Sequence, residues 1–384
     1  MHILVIPSWY PNINNEMSGI FFKEQTEALA KNDNLKVGCI ALNESSPFVF
    51  RNKYKTYEYI DAKINHVNTV SLLYPMSNRL KTLRSIVRVV LFKILFKRYI
   101  KKYGKPDIVH LHSFGHGELA LWVKEVYKIP FVLTEHSSGF ARKKYNKKEL
   151  LYAKNIFNNS SYNIAVSQEF ANLLTKIFNL KFNFIPNSID VDFFQLKEQK
   201  KSKKIFQFIN IAFLDKKKNQ DLLIEAFARV FKNNKDVTLL IVGDGVEYDN
   251  LKSKIIALGM QNQIQLYGRA NRSQIRDLFY ESDAFVLSSE YETFGVVIIE
   301  AMACGLPVIS TKCGGPESII TNENLGILCE LSQKSLSQSM YDMYSNIETY
   351  NSPEIRRYVE DCFSSSAVSR QLIKIYKNIV EISC

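Results

Sequence analysis

Residues 284–317 read AFVLSSEYETFGVVIIEAMACGLPVISTKCGGPE, and this stretch decides the fold of the second half of the chain. Apolar runs separated by polar or glycine-containing loops predict alternating strands and helices. They predict a strand at 284–287, a loop at 288–293, a helix at 295–303 and a second strand at 307–310. A loop at 314–316 then enters the first turn of another helix. The third segment is apolar on nearly every side, yet it contains one carboxylate, Glu300.

Gly295 begins this helix directly after a strand and its loop, so free backbone N–H groups and the positive end of the helix dipole should face a crevice. A phosphate group is well accommodated there. Glu300 lies about one turn further in, on the order of 6 Å along the helix, and Glu292 lies before it on the loop. A nucleotide-sugar fits between two such carboxylates. Taken singly, each glutamate also has a structural explanation, as a buried acid bonded to amides or as a solvated loop residue.

The order Glu292-Thr-Phe-Gly295-x4-Glu300, followed by Ala-Met-Ala-x-Gly-x-Pro-Val and Gly-Gly-x-Glu, closely resembles the Glu-x7-Glu signature of retaining family-4 glycosyltransferases (glycosyl transferases group 1). The resemblance implies an α/β fold of GT-B architecture: two facing Rossmann-like domains, an interdomain cleft, and a C-terminal helix that crosses back to the first domain. We expect an acceptor-binding domain at 1–194, a linker at 195–204 and a nucleotide-sugar-binding domain at 205–364. The returning helix is expected at 365–384.

The same resemblance implies roles for individual residues. Lys218 would neutralise the donor diphosphate, Glu292 would hold hydroxyls of the donor sugar, and Glu300 would hold the ribose diol. His136, in Thr134-Glu135-His136 at a strand end, would line the sugar pocket with His112 as the second histidine. His136, Lys218 and Glu292 are therefore the predicted catalytic residues. The other implied donor contacts lie on loops at the sheet edge or on the glutamate helix: Gly19, Gly268, Arg269, Phe294, Gly295, Val296 and Val297.

The chain departs from the family pattern at several positions. Phe213 stands where the family has a phosphate-binding arginine, and Asn219 stands where it has a glycine. Lys216, Lys217 or Arg269 could supply the missing charge. The first loop keeps only Gly19 of the usual glycine pair, so a structural turn explains Gly19 equally well. The alternative for Lys218 is a solvated lysine of a loop. The alternative for His112 and His136 is a structural role in which their hydrogen bonds are made within the protein.

Residues 78–102 contain nine Lys or Arg residues and no acidic residue, with apolar residues at helical spacing between them. This pattern predicts a basic amphipathic helix that contacts an anionic membrane surface. The family resemblance agrees, because phosphatidylinositol mannosyltransferases and similar enzymes dock through a basic helix of the first domain. The alternative is a helix packed on the sheet with a solvated basic face. Nucleic acid is not the expected partner, because no recognition motif accompanies the charge.

The 384 residues suit two domains of roughly 180 residues each. The excess of 50 Lys+Arg over 38 Asp+Glu indicates an anionic partner. No apolar run is long enough to span a membrane, the start reads as a strand and not as a signal peptide, and six scattered cysteines indicate neither disulfides nor zinc. We therefore expect a cytoplasmic protein, peripheral at the inner face of the membrane, that needs no metal or other cofactor. Asp190-x-Asp192 superficially resembles a metal-binding motif, but it lies in a turn that closes a domain.

The predicted reaction moves a hexose or related sugar from a nucleoside diphosphate (NDP)-sugar to an acceptor hydroxyl with retention. A glycan or lipid-linked acceptor of cell-surface polysaccharide or glycolipid assembly is expected. A sugar-nucleotide epimerase of the same fold is the first alternative, and it would isomerise the donor without an acceptor. A non-catalytic basic binding protein is the second alternative, and it is favoured only by the charge and by the missing arginine.

Overall fold

The structure, a computed structural model, describes residues 1–16, 18–45, 55–77, 81–196 and 205–383. The chain divides into two compact units. Unit 1 comprises Met1–Val166, Ala171–Ser188 and Ser365–Cys384, and unit 2 comprises Ser167–Phe170 and Ile189–Ser364. Each unit has its own sheet and its own apolar core.

The described strands of unit 1 form one eight-stranded sheet. They are β1 (His2–Pro7), β2 (Lys36–Ser45), β3 (Glu58–Ile64), β4 (Val67–Pro75), β5 (Ile108–His112), β6 (Phe131–Glu135), β7 (Tyr162–Ala165) and β8 (Asn183–Phe184). The helices are α1 (Ile20–Ala30), α2 (Lys81–Tyr103), α3 (Gly117–Tyr127), α4 (Lys147–Asn159), α5 (Gln168–Phe178), whose first residues belong to unit 2, and the last helix of the chain, α12 (Ser365–Ser383).

The sheet of unit 1 has the strand order β3-β4-β2-β1-β5-β6-β7-β8 and is parallel except for β3. Its central strands are buried along their whole length, as expected for a sheet covered by helices on both faces. The antiparallel β3–β4 pair is absent from the sequence prediction. β3 is an edge strand with a largely polar, half-exposed sequence, EYIDAKI, so it lacks the apolar run that marks the buried strands.

The described strands of unit 2 form a six-stranded parallel sheet with the order β11-β10-β9-β12-β13-β14. They are β9 (Phe206–Ile211), β10 (Val237–Val242), β11 (Ile264–Gly268), β12 (Ala284–Leu287), β13 (Val308–Thr311) and β14 (Gly326–Cys329). The helices are α6 (Gln220–Phe231), α7 (Tyr248–Ala257), α8 (Arg272–Glu281), α9 (Val296–Ala303), α10 (Gln333–Ser345) and α11 (Ser352–Phe363). Two Rossmann-like α/β units are therefore confirmed.

Two sequence predictions need adjustment. The strand–loop–helix–strand order of residues 284–311 is confirmed as β12, α9 and β13, but Pro316–Ser318 form only a single 3-10 turn. The division between the units falls after Ser188 and not after residue 194. Within unit 2, the Ile189 N–H donates to the Phe363 carbonyl, and the Arg356 guanidinium donates to the carbonyls of Val191 and Phe194. The predicted linker lies outside the described residues from 197 to 204.

Helix α2 is more deeply packed than an interfacial helix would be. One set of its apolar side chains is buried in unit 1, whereas four aliphatic side chains are exposed. The buried residues are Phe92, Leu95, Phe96 and Tyr99, and the exposed ones are Leu83, Ile86, Val90 and Ile94. Packing of α2 within unit 1 is therefore confirmed for one face, and the membrane contact of the other face stays a prediction. No helix among the described residues is long and apolar enough to cross a membrane.

The last helix, α12, belongs to unit 1 and packs on α1. Its Tyr376 is fully buried, and the Tyr376 hydroxyl lies 2.6 Å from Nδ1 of His110 on β5. The other ring nitrogen of His110 lies 2.8 Å from Oγ1 of Thr134 on β6. This hydrogen bond joins the end of the chain to the centre of the first sheet.

The variant Tyr376→Phe should lower the free energy of unfolding of unit 1 by about 1–3 kcal/mol, because it leaves a buried ring nitrogen without its hydroxyl partner. Urea unfolding followed by fluorescence measures the change. The matched control is Tyr57→Phe, which removes a hydroxyl from an exposed side chain of the same unit and should change the value by less than about 0.5 kcal/mol. Equal effects of the two variants would show that the Tyr376–His110 bond contributes no stability.

Candidate active site

A short 3-10 turn at Lys216–Lys218 follows β9 at the carboxyl edge of the second sheet. The Asp215 side chain caps it by accepting from the Lys218 N–H. Asn219 then adopts a left-handed conformation, with φ 52°, before α6 begins. Asparagine tolerates this conformation better than other non-glycine residues, which explains why it can stand at a position where the family has glycine.

This turn is joined to the loop after β12 by hydrogen bonds. The Ser288 hydroxyl donates to the Lys218 carbonyl (2.9 Å), and the Glu290 N–H donates to the Lys217 carbonyl (2.8 Å). The Thr311 hydroxyl at the end of β13 donates to the Ser289 carbonyl (2.7 Å). The ends of β9, β12 and β13 are therefore held in one arrangement.

Two of the predicted catalytic residues meet in this arrangement. The Lys218 ammonium contacts Oε1 of Glu292, and the Ser289 hydroxyl donates to the same oxygen at 2.9 Å. The Lys218 and Glu292 side chains are 17% and 15% exposed, so the ion pair is largely removed from solvent. Because little water surrounds this pair, the two charges interact more strongly than those of a surface ion pair.

Gly295 precedes α9 with φ 103°, a left-handed conformation suited to glycine. The N–H groups of Val296 and Val297 belong to the first turn, where no preceding helical carbonyl can accept them. Gly315 passes so close to this segment that an added Cβ would lie 2.4 Å from the Phe294 carbonyl oxygen. The Phe294 side chain is buried, so any contact of Phe294 with a donor would come from its backbone.

Glu300 lies on α9 beyond these amides. Burial raises its pKa to about 7, and the nearby positive charge of Arg272 opposes the rise. Burial also lowers the pKa of Arg272, whose guanidinium lies over the rings of Phe193 and Phe194 at 4.8 and 5.1 Å. Arg272 was not predicted from the sequence, because an arginine in the first turn of an amphipathic helix carries no signal of its own.

The remaining predicted donor residues of unit 2 lie at the ends of strands. Gly268 ends β11 with φ 89° and open space where a Cβ would be, and Arg269 beside it is exposed. Phe213 is 59% exposed at the position of the missing arginine. Of the possible substitutes, Lys217 is paired with Asp215 at 3.5 Å, and Lys216 is exposed.

In unit 1 the two predicted histidines meet at the ends of β5 and β6. Nδ1 of His112 lies 3.1 Å from Nε2 of His136, and both side chains are buried. Burial and the neighbouring histidines lower the pKa of His112 well below its usual value and that of His136 to about 3. Both rings are therefore neutral near pH 7, so one donates and the other accepts. Nδ1 of His136 is buried and has no hydrogen-bond partner among the described residues.

Gly19 begins α1 with φ 67°. A Cβ at Gly19 would lie 2.6 Å from the Trp9 carbonyl oxygen, so the close approach of the first loop needs glycine. The helix that starts here places Phe22 against both histidines, with ring centroids 4.7 Å from His112 and 4.8 Å from His136. The structure thus supplies a structural reason for Gly19, and its predicted donor contact stays a prediction.

Sequence analysis also missed Ser289 and Glu135. Ser289 is fully buried and donates to Glu292, and Glu135 is fully buried and accepts from the backbone N–H groups of Phe114 and His136. Ser289 lies in the stretch that was interpreted through Glu292, and Glu135 lies in the segment that was interpreted through His136. Asp190 of the Asp-x-Asp pair accepts from the backbone N–H groups of Asp192 and Phe193, as in a turn. Among the described residues no group of three or more His, Cys, Asp or Glu residues could hold a metal ion.

Two family models match the chain. The model of Glycosyltransferase Family 4 matches residues 26–193, and that of Glycosyl transferases group 1 matches residues 191–357. The matches adjoin and together run from residue 26 to residue 357, across both units. The chain belongs to this family of glycosyltransferases.

Curated relatives agree with the family. N-acetyl-alpha-D-glucosaminyl L-malate synthase of Bacillus anthracis is 30% identical over 52% of this chain and 53% of its own length. A probable sucrose-phosphate synthase of Thermosipho melanesiensis is 27% identical over 74% of this chain and 72% of its own. One component of the phosphatidylinositol N-acetylglucosaminyltransferase of Arabidopsis thaliana is 25% identical over 53% of this chain and 45% of its own length. The chain spans about half the length of the first and third of these relatives.

Solved structures show the same fold. The sucrose-phosphate synthase of Thermosynechococcus elongatus superposes with a TM-score of 0.79 at 18% identity, with both chains fully covered. Anabaena HepE in complex with UDP gives 0.75 at 18% identity, covering 98% of this chain and 100% of its own. The lipopolysaccharide outer core galactosyltransferase WaaB gives 0.70 at 17% identity with the same coverage. The GT-B fold is therefore confirmed.

The raised pKa of Glu300 predicts a pH-dependent stability. Between about pH 4.3, where an ordinary glutamate titrates, and about pH 7, the folded protein keeps a proton that the unfolded chain has released. The stability contributed by neutral Glu300 is therefore lost as the pH rises through this window. Glu300→Gln stays neutral, so its melting temperature should rise relative to wild type from about pH 5 to about pH 8.

Thermal melting across this pH range is the measurement. Glu281→Gln, which neutralises an exposed glutamate at the end of α8, is the control and should run parallel to wild type. A constant difference between Glu300→Gln and wild type over the range would contradict the raised pKa.

Proposed function

We propose that the protein is a retaining glycosyltransferase that moves a sugar from an NDP-sugar donor to an acceptor hydroxyl. The observation that carries this proposal is the Lys218–Glu292 ion pair in the loops that also hold the start of α9. It places a cation, a carboxylate and free N–H groups at one sheet edge. A diphosphate needs the cation and the N–H groups, and sugar hydroxyls need the carboxylate.

Departure of the nucleoside diphosphate builds negative charge on its oxygens. Lys218 and the N–H groups of Val296 and Val297 would stabilise this charge as it develops, which accelerates the reaction and does more than tighten binding. Glu292 would orient the donor sugar while it holds the Lys218 ammonium in place. Lys218 and these N–H groups are the donors that would face the diphosphate, and we propose that the reaction needs no metal ion.

Further donor contacts follow from the same placement. Glu300 would accept from the ribose diol, and the Gly268–Arg269 segment at the end of β11 would contact the base through its backbone. Anabaena HepE was crystallised with UDP and with UDP-glucose, and its fold matches this chain. UDP-sugars are therefore the first donors to test.

His136 is proposed to line the pocket of the transferred sugar, with His112 bonded to it. Its unpartnered Nδ1 supports this role, because a buried ring nitrogen without a partner is unfavourable unless a ligand bonds it. No side chain at the site is an obvious nucleophile. We therefore propose that the acceptor attacks on the face that the leaving phosphate vacates, and trapping a covalent glycosyl-enzyme would disprove this step.

Donor binding can be measured by thermal shift with UDP-, GDP- and ADP-sugars. At a ligand concentration 100 times Kd, stabilisation of about 2.7 kcal/mol is expected. Lys218→Ala should weaken the binding about 10- to 100-fold, because it removes a charge-assisted contact with phosphate. Glu300→Ala should abolish the shift that the wild type shows.

Lys252→Ala is the matched control, since it removes an exposed lysine from α7 of the same unit and should keep the wild-type shift. Each variant is compared with its own ligand-free melting temperature. No shift with any NDP-sugar would overturn the proposal. Isomerised donor after incubation without acceptor would instead identify an epimerase, and salt-dependent RNA binding without donor affinity would identify a basic binding protein.

We also propose that unit 1 contacts an anionic membrane surface through α2. Leu83, Ile86, Val90 and Ile94 form one exposed apolar stripe at helical spacing. In the last turns the same face continues into Lys97, Arg98 and Lys101, which are exposed and form no ion pair with any described residue. An apolar face that ends in free cations suits the boundary between lipid chains and anionic headgroups.

Other cations of α2 serve the fold. Arg88 is paired with Glu118 (2.5 Å), and Arg84 contacts Glu44. Arg79 lies outside the described residues, and nothing is described of the Lys81 side chain. The names of two similar proteins, one from a phosphatidylinositol N-acetylglucosaminyltransferase and the other a lipopolysaccharide galactosyltransferase, support a lipid-linked acceptor. A peripheral protein of the cytoplasmic membrane face, acting in cell-surface glycolipid or polysaccharide assembly, is the corresponding proposal.

Vesicle sedimentation tests the membrane contact. Wild type should bind vesicles containing phosphatidylserine more tightly than pure phosphatidylcholine vesicles. The variant Lys97→Gln/Arg98→Gln/Lys101→Gln should bind the anionic vesicles at least about tenfold more weakly, because each cation near the surface contributes about 1 kcal/mol. Ile86→Ser/Val90→Ser should weaken binding to the same vesicles by removing apolar contact.

The charge-matched control is Lys232→Gln/Lys252→Gln/Lys334→Gln, which removes the same three charges from exposed positions of unit 2. It should bind as wild type does. Equal weakening by both triple variants would mean that net charge alone attracts the protein to the vesicles, and the α2 surface would be rejected.

A further inference from the structure

Glu135 is a fully buried carboxylate that the proposed mechanism does not use. It ends β6, directly before His136. Its Oε1 accepts from the backbone N–H groups of His136 (2.9 Å) and Ser137 (2.8 Å). Its Oε2 accepts from the N–H of Phe114 (3.0 Å), two residues after His112.

One carboxylate therefore holds the backbone of both loops that follow β5 and β6. The segment after β5 is also unusual, because Ser113 has φ 65°, a conformation rarely adopted by a non-glycine residue. The Ser113 N–H donates to the Thr134 carbonyl at 2.8 Å, and the Phe114 N–H then reaches Glu135. These bonds keep a strained turn in place beside the His112–His136 contact.

Burying a carboxylate is unfavourable unless hydrogen bonds compensate for the lost water. Burial raises the pKa of Glu135, and the three N–H groups oppose the rise. Glu149, on the surface of the same unit, caps α4 by accepting from the Asn146 N–H while remaining exposed. Glu135 differs because its donors come from two loops, and each loop adjoins one of the paired histidines.

We propose that Glu135 is a positioning residue that fixes the His112–His136 pair in the geometry needed for sugar transfer. The inference rests on the proposed role of His136 in the sugar pocket. A carboxylate can accept all three hydrogen bonds, whereas glutamine must turn its NH2 group toward at least one backbone N–H. Glu135→Gln therefore releases one loop with almost no change of volume.

The first test is kinetic. Glu135→Gln should lower the kcat/KM of transfer about 10- to 100-fold, since a small displacement of a site residue is enough for such a loss. The donor-induced thermal shift should be unchanged, because Lys218 and Glu292 belong to unit 2. In a His136→Ala background, Glu135→Gln should cause no further loss, because a positioning residue acts only through the residue it positions. Glu149→Gln is the matched control and should keep wild-type kinetics.

The second test needs no substrate. In the full chain labelled with 15N-histidine, Glu135→Gln should shift the ring-nitrogen signals of His112 and His136, and Glu149→Gln should not. Unchanged histidine signals, or losses that multiply in the double variant, would overturn the inference. If His136→Ala transfers sugar at the wild-type rate, the positioning role falls while the donor site stands. If NDP-sugars cause no thermal shift in wild type but the histidine signals move in Glu135→Gln, the proposed function fails. The structural role of the Glu135 hydrogen bonds is then still supported.

Discussion

The contact between Lys218 and Glu292 is the interaction on which the second unit's edge depends. Each charge is largely removed from water, so either one alone would be unfavourable. The pair therefore ties the turn after β9 to the loop that leads into α9. Because Glu292 neutralises much of the Lys218 charge, and Phe213 supplies none, the backbone N–H groups at the start of α9 carry a larger share of any anion binding.

The two units share a fold but differ in the electrostatics of the same edge. In unit 2 the N–H groups at the start of α9 offer positive potential at this edge, and the Lys218–Glu292 ion pair lies in the same loops. In unit 1 the corresponding edge carries His112 and His136, which burial keeps neutral, and the negative charge of Glu135 is enclosed by backbone N–H groups. This difference agrees with the proposal that unit 2 binds the donor and that unit 1 contacts uncharged hydroxyl groups.

The sequence predicts features that depend on local pattern. Gly295 at the start of a helix was predicted from the apolar run that follows the loop, whereas Lys218 was predicted from the family resemblance. Glu135 was missed because its donors lie in two loops about twenty residues apart, a relation that only the strand register creates. The β3–β4 pair was missed because an edge strand lacks a continuous apolar run.

For helix α2 the sequence pattern predicts the helix but not which of its faces is buried. Helical spacing reveals that Phe92 and Phe96 share a face and that Ile86, Val90 and Ile94 share another, but both faces are apolar, so the pattern cannot tell which is buried. Packing decides: the larger aromatic side chains fill the space beside Trp122, and the aliphatic side chains are left outside. An exposed apolar stripe opposes solubility unless another surface covers it. Since Lys97, Arg98 and Lys101 continue this stripe, the proposed anionic lipid surface would cover the apolar part and pair with the charged part together, which neither water nor a neutral apolar partner would do.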